Sequence, residues 1–237
     1  MFTVSRILVT FFFINTIMLS AQSFDKKIKT LSSDIESNII ELRHWFHQNP
    51  ELSNREFKTA ERITKELIKI GLKPKTGVAK TGVVAVLKGG KPGPVVALRA
   101  DIDGLPVKER VEIPWASKMT GEYNGEIVPV MHACGHDTHI AILLGVAKIL
   151  YSIKNEISGT VKFIFQPAEE GLGGAQYMIE DGALDGVDEI YGAHLWNYQK
   201  YGTIGVKPGP IMAAADLFEI IIEGKGGHGA TPHGTVD

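Results

Sequence analysis

The chain has 237 residues, room for one large domain or one and a half ordinary ones. Its residues are 44% hydrophobic and 22% charged, ordinary for a globular protein, and a net charge of −2 gives no electrostatic case for a nucleic-acid or polyanionic partner. No mid-chain stretch is apolar for long enough to span a membrane.

The first residues stand apart. Arg6 precedes an apolar run from Ile7 to Leu19, and Ser20-Ala21-Gln22 follows. A short positive region, a short apolar region and a small-residue exit read as a secretory signal peptide over residues 1–21, cut after Ala21. An uncleaved anchor is the other reading, against which the run is short for a span and Asn15 interrupts it. The expectation is therefore an exported protein, periplasmic or secreted, with no membrane attachment after cleavage. The single cysteine, Cys134, leaves no internal disulfide framework. A free thiol in an oxidising compartment is a liability unless something occupies it, and a bound metal would do so.

Ile28, Leu31, Ile35, Ile39, Leu42 and Phe46 recur at helical spacing over residues 26–46, and Asn49-Pro50 stops the helix. A second helix carries Phe57, Ala60, Ile63, Leu67 and Ile70 on one face, with Gly71 as its C-cap. Residues 81–87 and 94–100 read as strands joined by a Gly/Pro turn, and the second runs into the loop from Asp101 to Pro106. Residues 139–150 are apolar around most of a helix, which marks a helix packed inside or between layers. Residues 160–166 form the next strand, 173–181 a short helix capped near Gly182, and 189–194 a strand again.

This alternation predicts an α/β domain over residues 22–212, with a mostly parallel central sheet and helices on both faces. Near Met212 the character changes. Residues 216–223 read as a strand that leads into Gly224-Lys-Gly-Gly-His-Gly-Ala-Thr-Pro-His233, the start of a smaller α+β domain over 213–237.

Four segments end in metal-binding residue types: Leu98–Asp103, His132–Asp137, Phe165–Glu170 and Gly192–Trp196. Three of them follow apolar, β-branched runs. Such groups at the ends of several strands are the usual layout of an α/β active site. Cys134-Gly135-His136 offers a thiolate and an imidazole that a turn at the glycine brings to one point, a donor pair suited to zinc or another borderline divalent ion. A buried free cysteine beside a surface histidine, or a cysteine–histidine nucleophile near a helix N-terminus, are the competing readings. Adjacent Glu169 and Glu170 repel each other if both ionise in a confined site. A metal removes the conflict by taking one glutamate as ligand and leaving the other to draw a proton from water. A solvated turn is the bland alternative, and the strand, proline and glycine-rich flanks disfavour it. His194 gains weight from these companions. Asp101 and Asp103 fit ligands, carboxylates that orient a histidine, or a turn cap, and the second is preferred. His228 is either an exposed turn histidine or a stabiliser of a tetrahedral oxyanion.

Arg99-Ala-Asp-Ile-Asp-Gly-Leu-Pro106, Met131-His-Ala-Cys-Gly-His-Asp137, Phe165-Gln-Pro-Ala-Glu-Glu-Gly171, Gly192-Ala-His-Leu-Trp196 and the segment from Gly224 to His233 occur together in order. From roughly Ile35 onward the chain resembles the co-catalytic metallopeptidase family of aminoacylases and carboxypeptidase G. It looks most like the branch of hippurate hydrolases, N-acyl-amino-acid amidohydrolases and plant auxin-conjugate hydrolases. The resemblance implies a zinc-peptidase-like α/β fold and two divalent metal ions (zinc or manganese, with cobalt or nickel also suited) bound by Cys134, His136, Glu170 and His194. It implies Glu169 as general base and acid, and hydrolysis of the amide of an N-acyl amino acid or short peptide. It also implies that His228 sits in a lid domain that dimerises and reaches a neighbouring subunit's site. In peptidase relatives the segment at Arg99–Asp101 carries a ligand histidine that this branch lacks, so Asp101 is not assigned as a ligand. Family members are much longer and add a further metal-binding histidine near the C-terminus. A chain ending at Asp237 is accordingly expected to be a fragment or shortened product with impaired activity, or a non-catalytic metal-binding remnant.

Overall fold

The computed structural model describes residues 3–171, 173–213 and 218–236, with side chains described from residue 24 onward. The chain divides into two units, Met1–Leu195 and Trp196–Asp237.

The first unit opens with α1 (Thr3–Gln48) and α2 (Phe57–Ile70), followed by β1 (Lys75–Val78), β2 (Gly82–Lys88) and β3 (Lys91–Asp101). A hairpin of β4 (Thr120–Tyr123) and β5 (Glu126–Pro129) precedes α3 (His136–Ser152), β6 (Ser158–Gln166), α4 (Gly174–Glu180) and β7 (Glu189–Gly192). The helix expected over 26–46 is the C-terminal half of α1. The expected signal segment falls in its N-terminal half, where the side chains lie outside the described residues. Among the described residues no helix is long and apolar enough to cross a membrane. α2 ends where the sequence places its cap: Gly71 has a φ of 103°, and its N–H bonds back to Ile68 O. α3 starts three residues before its apolar run, on Gly135 with a φ of 89°. That early start puts His136 in the first turn of the helix.

The five-stranded sheet runs β1-β2-β6-β3-β7. β3 pairs in parallel with both β6 and β7, while β2 pairs antiparallel with β1 and β6. The parallel half is the one the strand–helix alternation predicts. β1 and the antiparallel flank carry no such signal. β2 and β3 follow each other in sequence, yet β6 lies between them.

The strands sort their side chains with a period of two. Val83, Ala85 and Leu87 of β2, Ala100 of β3, and Val161, Phe163 and Phe165 of β6 join Leu42, Phe46, Ile63, Leu67, Ile140 and Leu144 of α1, α2 and α3 in the main core. Val84, Ala97 and Ile164 face the other way, onto Val78, Met178 and Ala183. Helices thus cover both faces, α1 to α3 on one and α4 on the other.

α1 is tied to α3 and to the loop after β3 by charge. His47 Nδ1 lies 3.0 Å from Asp137 Oδ2 and its Nε2 lies 2.8 Å from Glu109 Oε2, while Arg43 Nε donates to the same Asp137 oxygen at 3.0 Å. His44 stacks on Trp115 with ring centroids 3.7 Å apart.

The second unit carries little regular structure. Lys225 bridges Val236, and a short 3-10 turn spans Pro232–Gly234. The strand expected over 216–223 begins at residues outside those described. From Phe218 to Glu223 no strand is formed, and Phe218, Ile220, Ile221 and Ile222 are exposed. The residues have strand propensity but no partner ladder among the described residues of the unit, and a strand without a partner leaves its backbone groups to solvent.

Both ring nitrogens of His47 face carboxylates, so only the imidazolium satisfies both. The Asp137 hydrogen bond raises its pKa, burial opposes this, and Glu109 adds to the rise. Because the folded value lies above that of the unfolded chain, this contribution is complete below about pH 6.5 and is lost as pH rises through the folded value. Urea denaturation at stepped pH should show stability falling across that window. His47→Gln should cost about 1–3 kcal/mol at pH 6 and flatten the pH dependence.

Candidate metal centre

The functional side chains gather at the C-terminal edge of the parallel strands, where an α/β sheet offers its crevice. β3 delivers Asp101 and then Asp103, each 1% exposed. β6 delivers Glu169 and Glu170 after the turn at Pro167-Ala168, and β7 leads to His194. His136 and His139 stand three apart in the first turn of α3 and so share one face. Cys134 lies two residues before His136. Gly135 permits the turn between them, and a Cβ there would lie 3.2 Å from Leu195 Cδ1.

His136 is the centre of the cluster. It is fully buried, and its Nδ1 lies 2.9 Å from the Asp103 carbonyl oxygen and 3.4 Å from Asp103 Oδ1. With Nδ1–H donated there, Nε2 keeps its lone pair. Nε2 is buried and has no hydrogen-bond partner. Around it lie Asp101 Oδ1 at 3.6 Å, Glu169 Oε2 at 3.7 Å and Glu170 Oε1 at 3.7 Å. A buried lone pair ringed by carboxylate oxygens favours a cation between them. Burial lowers the His136 pKa, but Asp103, Asp101 and Glu170 outweigh it and the net shift is upward.

Two overlapping sets of donor atoms lie within 4.8 Å of one another: Cys134, His136 and Glu170, and Asp101, His136, His139 and His194. Cys134 Sγ is 3.4 Å from His194 Nε2. Sulfur, nitrogen and oxygen donors at this spacing suit a borderline divalent ion. His139 has both nitrogens engaged. Leu195 N–H donates to Nε2 at 2.9 Å, which leaves Nδ1–H to donate to Asp101 Oδ1 at 2.6 Å. His139 therefore orients Asp101 and anchors the turn carrying His194.

The charges are strongly coupled. Burial works to raise the Asp101 pKa, yet the His139 hydrogen bond and the His136 and Arg99 charges bring it down to about 2. Arg99 Nη1 donates to Asp101 Oδ2 at 2.7 Å. Burial raises the Glu169 pKa, the Asp101 charge adds to it, and the net shift stays upward against His136 and Arg99. Burial, then the Glu170, Glu169 and Asp101 carboxylates, push the Cys134 thiol up to about 12. Nucleophilic thiols sit in electropositive surroundings, so this anionic setting speaks against a cysteine–histidine nucleophile and for a thiol meant to meet a cation. His132, buried with neither ring nitrogen partnered, is drawn down to about 4 by burial and is a neutral imidazole.

Cys134, His136, Glu169, Glu170 and His194, together with Asp101 and Asp103, thus meet in one place. His228 belongs to the second unit, where its side chain is exposed and Nδ1 accepts the Ala230 N–H at 3.1 Å. His139 and Arg99 are site residues that the motif reading left unassigned. The spacing of His136 and His139, one helical turn apart, was the available signal for the first.

The family model described as peptidase family M20/M25/M40 matches residues 97–234. The chain is 47% identical over 215 residues to thermostable carboxypeptidase 2 of Saccharolobus solfataricus, covering 90% of this chain and 53% of that protein. It is 46% identical over 213 residues to the N-acyl-L-amino acid amidohydrolase of Geobacillus stearothermophilus, covering 90% and 55%. The crystal structure of a Bacillus subtilis dinuclear metal binding peptidase from the M20 family superposes with a TM-score of 0.69 at 42% identity, covering 75% of this chain and 48% of that one. The chain spans about half the length of these relatives.

The anchoring role of His139 is separable from ligation. His139→Phe fills the same space but leaves the Leu195 N–H without its acceptor. Amide exchange at Leu195 should accelerate roughly five- to tenfold, the equivalent of one lost hydrogen bond. An unchanged rate by hydrogen-exchange NMR would show that the turn is held by something else.

Proposed function

The chain belongs to peptidase family M20/M25/M40, and we propose that it serves metal-dependent hydrolysis of the amide bond joining an acyl group to an amino acid, or the terminal amide of a short peptide. The observation that carries this reading is the buried, unpartnered His136 Nε2 facing Asp101, Glu169 and Glu170. The amidohydrolase and carboxypeptidase names of its relatives support the substrate class.

In this reading Cys134, His136, Glu170 and His194 hold two divalent cations. The donor set fits zinc or manganese, and cobalt or nickel would also be accepted. Bound cations would acidify water and polarise the scissile carbonyl. The chain's own chemistry falls to Glu169, whose pKa is raised by burial and by Asp101. Its carboxylate takes a proton from the attacking water and, as the C–N bond breaks, passes that proton to the leaving amine. His139 fixes Asp101, and Asp103 fixes His136, so neither the carboxylate nor the imidazole need reorient. The proposal extends, on the sequence alone, to export through the segment at 1–21, to His228 as an oxyanion stabiliser and to a homodimer in the full-length form.

The reading is tested by release of free amino acid from N-acetyl and N-benzoyl amino acids with added divalent metal. Glu169→Gln should lower turnover about 10²–10⁴-fold while two metal ions per chain are still retained. Normal hydrolysis by that variant would remove Glu169 from its role, and one weak ion or none would argue against a working centre.

A further inference from the structure

Glu56 stands immediately before α2 and is fully buried. Both of its oxygens accept hydrogen bonds from distant parts of the chain. Oε2 takes the Thr81 hydroxyl at 2.6 Å, and Oε1 takes the Ala168 N–H at 2.9 Å across 112 residues of sequence. Ala168 is also fully buried and has a φ of 51°, a left-handed conformation that a residue with a Cβ resists. The next two residues are Glu169 and Glu170.

The turn at Ala168 is pinned from three sides. Glu56 holds its N–H. Its carbonyl accepts the Gly174 N–H at 3.2 Å, and Gly174 passes so close that a Cβ would sit 1.8 Å from Pro167 O. Beyond the turn, Glu170 N–H donates to Asp103 Oδ2 at 3.1 Å, an oxygen that also accepts from Ser53 Oγ at 2.6 Å. From the short loop between α1 and α2, Glu56 therefore grips the backbone before Glu169 directly, and Ser53 steadies the Asp103 carboxylate that holds the backbone after it. A strained turn persists only where its surroundings over-determine it.

We propose that Glu56 is a positioning residue: by holding the Ala168 N–H it keeps the left-handed turn that aims Glu169 and Glu170 at His136. This rests on the reading of Glu170 as a metal ligand given above. The chemistry explains the residue type. Two donors converge on one buried side chain, which must offer two acceptors and enough reach. Glutamine can keep the Ala168 bond through its oxygen and donate its amide to the Thr81 hydroxyl. Aspartate is one methylene short of Ala168, and leucine offers no acceptor.

Cobalt(II) titration of the full chain, followed by visible absorption, tests the proposal. Glu56→Leu should lose affinity roughly 10–100-fold with a changed ligand-field spectrum, and Glu56→Gln should stay close to the parent. Rescue by glutamine is the outcome that a general loss of packing would not give. Glu170→Ala is the control for the underlying reading. If it weakens cobalt binding while a folded Glu56→Leu binds like the parent, Glu56 has no positioning role. If Glu170→Ala itself binds like the parent, the ligand assignment fails and the proposal falls with it. Should Glu56→Leu not fold, Glu56→Asp replaces it. Faster amide exchange at Ala168 together with weaker cobalt binding supports the proposal, and parental values for both overturn it.

Discussion

The site is organised by one electrostatic demand. A histidine nitrogen is buried against three carboxylates, and it is hydrogen-bonded to none of them. Anionic groups this close, around a buried nitrogen, hold their places only if positive charge is near. Arg99 answers part of the demand at Asp101, and the rest points inward to the space that His136 Nε2 shares with Glu169 and Glu170. The same demand explains the thiol. Burial and then the anionic neighbours raise the Cys134 pKa, and a cation that quiets those neighbours would also free the sulfur to bind.

The scaffold meets this demand by rigidity. Groups at the centre are held by fixed partners: His136 by the Asp103 carbonyl, Asp101 by His139 and Arg99, and the Glu170 N–H by the Asp103 carboxylate. These holders lie on or just after β3 and on α3, elements whose far sides are packed in the main core. The precision of the site is therefore inherited from the sheet and from the helix that crosses it.

Much of this could be read from the chain before any coordinates. Periodicity locates α2 to its capping glycine, and apolar runs locate β3 and β6, whose inner halves are buried, and the short, exposed β7. The residue types at the ends of those runs marked the site. What escaped did so for physical reasons. Asn124-Gly125, with φ values of 52° and 81°, is a hairpin signal, but its flanking strands β4 and β5 are short and exposed. The first turn of α3 is polar because it faces the site, so its start was set three residues late. Glu56 sits in a polar loop with no pattern, and its meaning comes from a partner more than a hundred residues away. Residues 218–223 show the opposite error, since strand propensity without a neighbour among the described residues does not make a strand.

The interposed position of β6 bears on how the nascent chain matures. β2 and β3 leave the ribosome together, joined by Gly89-Gly90, and run antiparallel to each other through their common neighbour. Until residues 158–166 have been synthesised, the edges of β2 and β3 that β6 later takes have no partner strand in place. The premature hairpin they would form must open to admit β6, because both of its inner edges are the ones β6 occupies in the finished sheet. Correct pairing thus waits on a contact between segments some seventy residues apart in the chain, a slow step by its topology. The edge that carries Glu169 and Glu170 is completed only when β6 has taken its place between β2 and β3.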